Sequence, residues 1–223
     1  MTGEQNTKEV LVMKDFSIAM ALVDYIPVFC FGLGAAILMQ CLYNKMTKAS
    51  FSLFAAGSIN VFMAGFLKAT YKLLYAANIC DFEPLNAMFF PVQALGFLLA
   101  GGGIILMFFR RPKRSEEMFS AAPVLWTGTF LFVGFMVLGL GMLDAGLCIL
   151  AKKLKKPGII AIIIISFICC LGMGYLSSKD FTEASMNWIA EGVNVVGQGC
   201  FLWGAISLRK AGLEDLELPS KNN

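Results

Sequence analysis

Residues 86–107, NAMFFPVQALGFLLAGGGIILM, form an apolar tract that contains Pro91 and a run of small residues at Ala100–Gly103. About 20 apolar residues in an α-helix span the hydrocarbon core of a bilayer. Small residues are typical of membrane helices whose backbones approach closely. The tract therefore predicts a transmembrane helix in tight contact with its neighbours, with a kink at the proline. A local break at the glycines, exposing carbonyl groups to a cavity, is the alternative.

The rest of the chain has the same character. Of its 223 residues, 58% are hydrophobic and 15% are charged, and the mean hydropathy is +0.73. These values are outside the range of soluble domains and are typical of an integral membrane protein. We predict an all-α, six-transmembrane-helix bundle. Its apolar tracts are Phe16–Leu42, Phe51–Ala77, Leu85–Phe109, Ala122–Leu150, Gly158–Leu176 and Met186–Leu208.

Charged stretches separate these tracts and divide the chain. The expected parts are an N-terminal segment (1–15), a first three-helix half (16–109), a basic loop (110–121), a second three-helix half (122–208) and a C-terminal tail (209–223). Six alternating spans put both termini on one side. Lys and Arg are nearly balanced between the two sides, and Lys68 and Lys72 tilt the count towards cytoplasmic termini.

The third and sixth tracts resemble each other. Residues 187–208 read NWIAEGVNVVGQGCFLWGAISL, and an offset of 101 residues matches Asn86 with Asn187, Gln93 with Asn194, Gly96 with Gly197 and Gly103 with Gly204. A three-helix unit that is repeated without a linker has its second copy upside down. The sequence therefore predicts two inverted three-helix repeats. Chance recurrence of Gly and Asn in apolar helices is the alternative.

The sixth tract carries a polar stripe. Asn187, Glu191, Asn194 and Gln198 are spaced by four, three and four residues, which puts them on one helical face. A carboxylate inside a membrane helix costs about 2.5–3.5 kcal/mol, so Glu191 indicates function. With Asn86 and Gln93 of the third tract, these residues form the predicted binding site. The alternatives are amides that only hold helices together and a Glu191 that lies near the interface.

A second polar group is expected in the other half of the bilayer. It comprises Lys68 and Lys72 on the second helix, Asp24 on the first and Asp144 on the fourth. Intramembrane charges almost always pair, so we predict a neutralised network that acts as a gate. The alternative is that the lysines extend to the headgroups while the aspartates lie under the surface.

The function expected from these patterns is a transporter or channel for a small polar solute or cation. A non-catalytic membrane sensor or assembly subunit is the alternative, and an intramembrane lipid-modifying enzyme comes third. The chain has no histidine, no C-x-x-C pair and no nucleotide-binding motif, so we predict no catalytic residues, no metal site and no cofactor. Expected partners are membrane lipids, the solute and further copies of the chain, but not nucleic acid.

Overall fold

The computed structural model describes residues 17–109, 129–176 and 184–217. This part of the chain is helical and contains no strand. Its helices are α1 (Ile18–Val23), α2 (Tyr25–Leu42), α3 (Lys48–Ala76), α4 (Pro84–Ala87), α5 (Phe89–Phe109), α6 (Thr129–Lys153), α7 (Pro157–Leu176) and α8 (Ala184–Lys210), followed by a 3-10 turn at Leu213–Asp215. The predicted segments 1–15 and 110–121, the start of the fourth tract and the end of the tail lie outside the described residues.

Four helical segments are long and apolar enough to cross a membrane, which by length and composition indicates a membrane protein. They are Ile18–Leu42, Lys48–Ala76, Pro84–Phe109 and Leu131–Lys153. Helix α7 is also apolar over Pro157–Met173. Helix α8 carries the polar stripe and is less apolar than the others.

Two prolines interrupt the membrane helices at the same end of the bundle. Proline lacks the N–H that would bond to the carbonyl four residues earlier, and its ring crowds that carbonyl. Pro27 accordingly follows a break at Asp24, between α1 and α2, and Pro91 follows a break at Met88, between α4 and α5. The kink predicted at Pro91 is therefore observed three residues earlier.

The six long helices form a closed ring in the order α2, α3, α5, α6, α7 and α8, and α8 returns to pack on α2. The contacts of α5 with α3 and with α6 are the most extensive. Its glycines explain this, because Gly101 lies against the backbone of Gly139 in α6 and Gly103 against Phe54 in α3. The run Gly101–Gly103 stays helical, so the glycines serve close packing rather than a break.

Helices α5 and α6 run in the same direction. The backbone of Gly139 contacts Leu98, near the middle of α5, and the Lys153 ammonium lies 5.9 Å from the ring centre of Phe108 at its end. Both helices thus begin at one end of the bundle and finish at the other.

This arrangement gives the bundle a basic end and an acidic end. At the basic end lie the Lys and Arg residues Lys45, Lys48, Lys152, Lys153, Lys155, Lys156, Arg209 and Lys210. Asp81 and Glu83 lie at the acidic end, where α3 finishes. Ser17 begins the described chain at the acidic end and Glu217 finishes it at the basic end, since α8 runs parallel to α2.

The parallel directions bear on two predictions. Both ends of the chain were expected on one side, but the described residues closest to the termini lie at opposite ends of the bundle. The two halves were expected to be inverted, but α5 and α8, the helices that carry the sequence match, both run from the acidic to the basic end.

The matched glycines nevertheless occupy equivalent packing positions. Gly96 lies against Val61 of α3. Its counterpart Gly197 lies against α7, and the Ser166 hydroxyl donates a 2.9 Å hydrogen bond to the Gly197 carbonyl. Each of these helices thus packs on the middle helix of its own half. Each also packs on the first helix of the other half, α5 on α6 and α8 on α2.

Most of the tightly packed core lies towards the basic end. Leu38, Ile104, Leu147 and Leu208 have no more than 1% of their surface exposed. Leu213, in the 3-10 turn, packs against this core at the basic end and is fully buried. The acidic half of the bundle is packed less completely and contains the polar side chains.

Replacing Gly101 by Ala should lower the stability by about 1–3 kcal/mol, because the added methyl group meets the backbone of Gly139, which cannot move without shifting α6. Gly102→Ala is the matched control. No other atom lies within 4 Å of a Cβ at Gly102, and Ala favours helix by up to about 1 kcal/mol. Thermal unfolding of the purified protein should rank Gly101→Ala below wild type and Gly102→Ala at or above it. The opposite ranking would contradict the close α5–α6 contact.

Labelling with a membrane-impermeant maleimide should distinguish the observed helix directions from six alternating spans. Cys80 is exposed beyond the end of α3, and Lys156 is exposed between α6 and α7. In intact cells only one of Cys80 and an introduced Lys156→Cys should react, and the other only after permeabilisation. The Cys80→Ser variant measures background labelling of the other cysteines, and Lys156→Cys is introduced into this variant. Labelling of both sites under one condition would support alternating spans.

Candidate functional site

A cavity of about 370 Å³ lies inside the ring, in the acidic half of the bundle. All six long helices contribute to its wall. Most of the wall is apolar and aromatic, as is usual in small-molecule sites. The charged and amide side chains in the wall are Asp24, Lys68, Lys72, Gln93, Glu191, Asn194 and Gln198.

A buried cluster of charges occupies one side of the cavity. The Lys72 ammonium forms an ion pair with Asp24 and lies 3.3 Å from Oε1 of Glu191. Both acidic residues are buried. The helix break at Asp24 brings this side chain to the cavity wall, and the parallel α8 brings Glu191 to the same level. One ammonium thus bridges two carboxylates from different helices.

The second lysine of the cavity contacts aromatic rings. The Lys68 ammonium lies 3.8 Å from the ring centre of Phe89 and 5.7 Å from that of Phe90. A cation held over an aromatic face is stabilised by the ring quadrupole, by about 2 kcal/mol or more when both are out of water. The break before α5 places these rings opposite α3. Lys68 therefore contributes a second positive charge beside the Lys72 cluster.

The polar stripe of α8 continues from Glu191 deeper into the bundle. Asn194 and Gln198 line the cavity one and two turns further along, and Gln93 lines it from α5. The Gln198 amide donates to the Cys170 thiol, with 3.5 Å between nitrogen and sulfur. Amides can both donate and accept, so they can bind a polar solute in several orientations.

Three phenylalanines close the cavity towards the basic end. The Phe31 ring stacks on Phe201 with 5.2 Å between ring centres and meets Phe97 edge-on at 5.9 Å. The three residues come from α2, α8 and α5 and are all buried. Below them begins the apolar core. The rings therefore separate the cavity from this core.

The two predicted polar groups form a single site. Glu191 of the predicted binding site and Asp24 of the predicted gate share Lys72, so the placement in opposite halves of the bilayer is wrong. The cause is the direction of α8. Six alternating spans would make this helix run the opposite way and would place Glu191 at the other end of the bundle. Sequence reasoning missed Phe31 and Phe89, because an aromatic residue in an apolar tract gives no signal that distinguishes a cavity wall from a lipid-facing surface.

Three predicted residues lie outside this site. Asn187 is one turn before Glu191 and does not line the cavity, and Asn86 is exposed on α4. Asp144 is buried in α6, apart from the Lys72 cluster, one turn beyond the cavity-lining Leu140. The sequence grouped Asp144 with Asp24 because depth was counted from the wrong end of the helix.

Comparisons with known proteins give no match, since no family model, curated protein or solved structure aligns with the chain. Within the described ranges, no three Cys, Asp or Glu side chains are grouped so that they could hold a metal ion.

Removing the shared ammonium with Lys72→Met should destabilise the protein by about 3–5 kcal/mol, because two buried carboxylates lose their counter-ion. Combining it with Asp24→Asn and Glu191→Gln should recover most of that loss. Lys156→Met, at an exposed position, is the control and should have little effect. Thermal unfolding of the four proteins measures the coupling. Equal melting temperatures for Lys72→Met and the control would show that the cluster contributes nothing to stability.

Proposed function

We propose that the protein is a small membrane transporter whose cavity binds a small polar solute between Lys72, Glu191 and the amides of α5 and α8. The observation that carries this proposal is the state of Glu191. Its Oε1 faces Lys72 and its carboxyl group also interacts with that of Asp24, whereas no N–H or hydroxyl donor of the described residues reaches its buried Oε2. A buried acceptor without a partner is costly, and a donor group of a bound solute would satisfy it.

The charges of the site favour a solute without net charge. Asp24 and Glu191 balance Lys68 and Lys72, so a simple cation or anion would leave the cavity with an unpaired charge. A zwitterion or a neutral solute rich in hydrogen-bonding groups fits both the charge balance and the amides. The aromatic walls favour a solute with an apolar part. Amino acids, nucleosides and similar compounds combine these properties.

A cavity with a closed floor favours a transporter over an open channel. Alternating access requires that the solute site opens to one side at a time. The Phe31, Phe97 and Phe201 layer would then be the closed barrier of the state described here. The equivalent packing of α5 on α3 and of α8 on α7 supports this mechanism, because two similar halves can rock about a site between them.

The charge asymmetry favours one orientation in the membrane. Cytoplasmic loops of membrane proteins carry an excess of Lys and Arg, and the basic end of the bundle has such an excess. We therefore infer that the basic end faces the cytoplasm and that the cavity opens away from it. In the labelling experiment above, this orientation corresponds to reaction of Cys80 in intact cells.

Solute binding should be detectable as a thermal shift of the purified protein against a panel of amino acids, nucleosides, amines and inorganic ions. A ligand that binds only the folded state at a concentration of about 100 times Kd stabilises it by about 2.7 kcal/mol. The shift should disappear in Glu191→Gln and Asn194→Ala. It should persist in Glu214→Gln, at the basic end, and in Asn86→Ala, on exposed α4.

Two results would contradict the proposal. If no solute shifts the melting temperature and Glu191→Gln only lowers it, the cluster is structural, as expected for an assembly subunit. If a solute stabilises Glu191→Gln and Asn194→Ala as much as wild type, it binds outside the cavity.

A further inference from the structure

Like Glu191, Asp144 is a buried acidic residue inside the bundle. It is 95% buried, and neither Oδ1 nor Oδ2 has a hydrogen-bond partner among the described residues. Asp24, by contrast, is buried in an ion pair with Lys72. Two acidic residues of the same helical ring are therefore in opposite situations, one neutralised by a lysine and one without such a partner.

The position of Asp144 relates it to the cavity. Val133, Val137 and Leu140 of α6 line the cavity, and steps of four, three and four residues put Asp144 on the same helical face. It lies one turn beyond Leu140, where the apolar core begins. Its neighbours along α6, Leu143 and Leu147, are each 1% exposed. The carboxyl group is thus directly below the cavity floor.

A line of polar groups leads from the cavity towards Asp144. Gln198 lines the cavity and donates to Cys170 of α7. Cys170 is within electrostatic reach of Asp144, and so is Cys148, one turn along α6. Among the described residues, these two thiols interact electrostatically with Asp144. Neither thiol carries a positive charge that could neutralise Asp144.

We propose that Asp144 is the proton-carrying residue of this transporter and exchanges its proton with the cavity through the layer formed by Gln198 and Cys170. This inference rests on the proposed function for its role in transport. In the state described here the carboxyl group holds its proton, which explains how it lies in an apolar core without a counter-ion. When the layer opens, the O–H bond breaks and the proton passes to a cavity water, leaving a carboxylate and a hydronium ion. The reverse step reloads the residue.

A single proton carried per cycle would couple solute movement to a pH difference across the membrane. The solute site and the proton site are separate in this arrangement, since Glu191 and Lys72 bind the solute one layer above. Asp144 therefore affects the driving force of transport, and Glu191 affects binding.

Infrared spectroscopy of the full-length protein in lipid tests the proton directly. Wild type at neutral pH should show the carbonyl stretching band of a protonated carboxylic acid. Asp144→Asn should lose it, whereas Asp215→Asn, at the exposed basic end, should keep it. Glu191→Gln identifies any contribution from the other buried acid. If Asp144→Asn does not fold, ¹³C-labelled aspartate in wild type, which shifts the band, distinguishes aspartic from glutamic acid.

Proteoliposomes then test the coupling with the solute from the thermal-shift screen. Wild type should accumulate it along an imposed pH gradient. Asp144→Asn should lose this accumulation but retain exchange of labelled for unlabelled solute. Absence of the acid band in wild type, or a band in Asp144→Asn as strong as in wild type, overturns the inference even if a solute binds. If the band belongs to Asp144 but no solute binds, the proposed transport function fails and the proton site stands.

Discussion

The parallel contact between α5 and α6 is the constraint on which the rest of the structure depends. In a bilayer, lipid tails are as apolar as the side chains, so helices associate through close packing rather than through burial of apolar surface. Gly101 and Gly139 allow that close packing. Because the two helices run in one direction, α8 runs parallel to α2, and Glu191 reaches the level of Asp24 and Lys72. The ion cluster is a consequence of this direction.

The bundle then divides into two halves with different physical properties. Towards the basic end, aliphatic side chains fill the interior and leave no room for water or solute. Towards the acidic end, two helix breaks at prolines open the wall and bring Asp24 and Phe89 inside. Charges are tolerated there because each has a partner of opposite sign or an aromatic face. Asp144 lies at the boundary between the two halves.

The sequence predicted most of the helices and much of the site, for reasons that are local. The length and apolarity of each tract predicted a helix, and the α-helical period placed Glu191, Asn194 and Gln198 on one face, where they line the cavity. The same reasoning grouped Lys72 with Asp24. It failed for Asn86, which lies exposed on the short helix before Pro91. It also failed for Asp144, because the depth of this residue in the bundle depends on the direction of α6.

The sequence by itself determined which segments are helical, which face of α8 is polar and where prolines interrupt the helices, because these properties depend on residues within a few turns of each other. Only the tertiary structure decided the direction of each helix relative to the others. A helical tract has the same period in either direction, so the tract itself does not encode which way it runs. Because α6 runs parallel to α5, the two polar groups line a single cavity, the basic residues lie at one end of the bundle and the two halves are parallel.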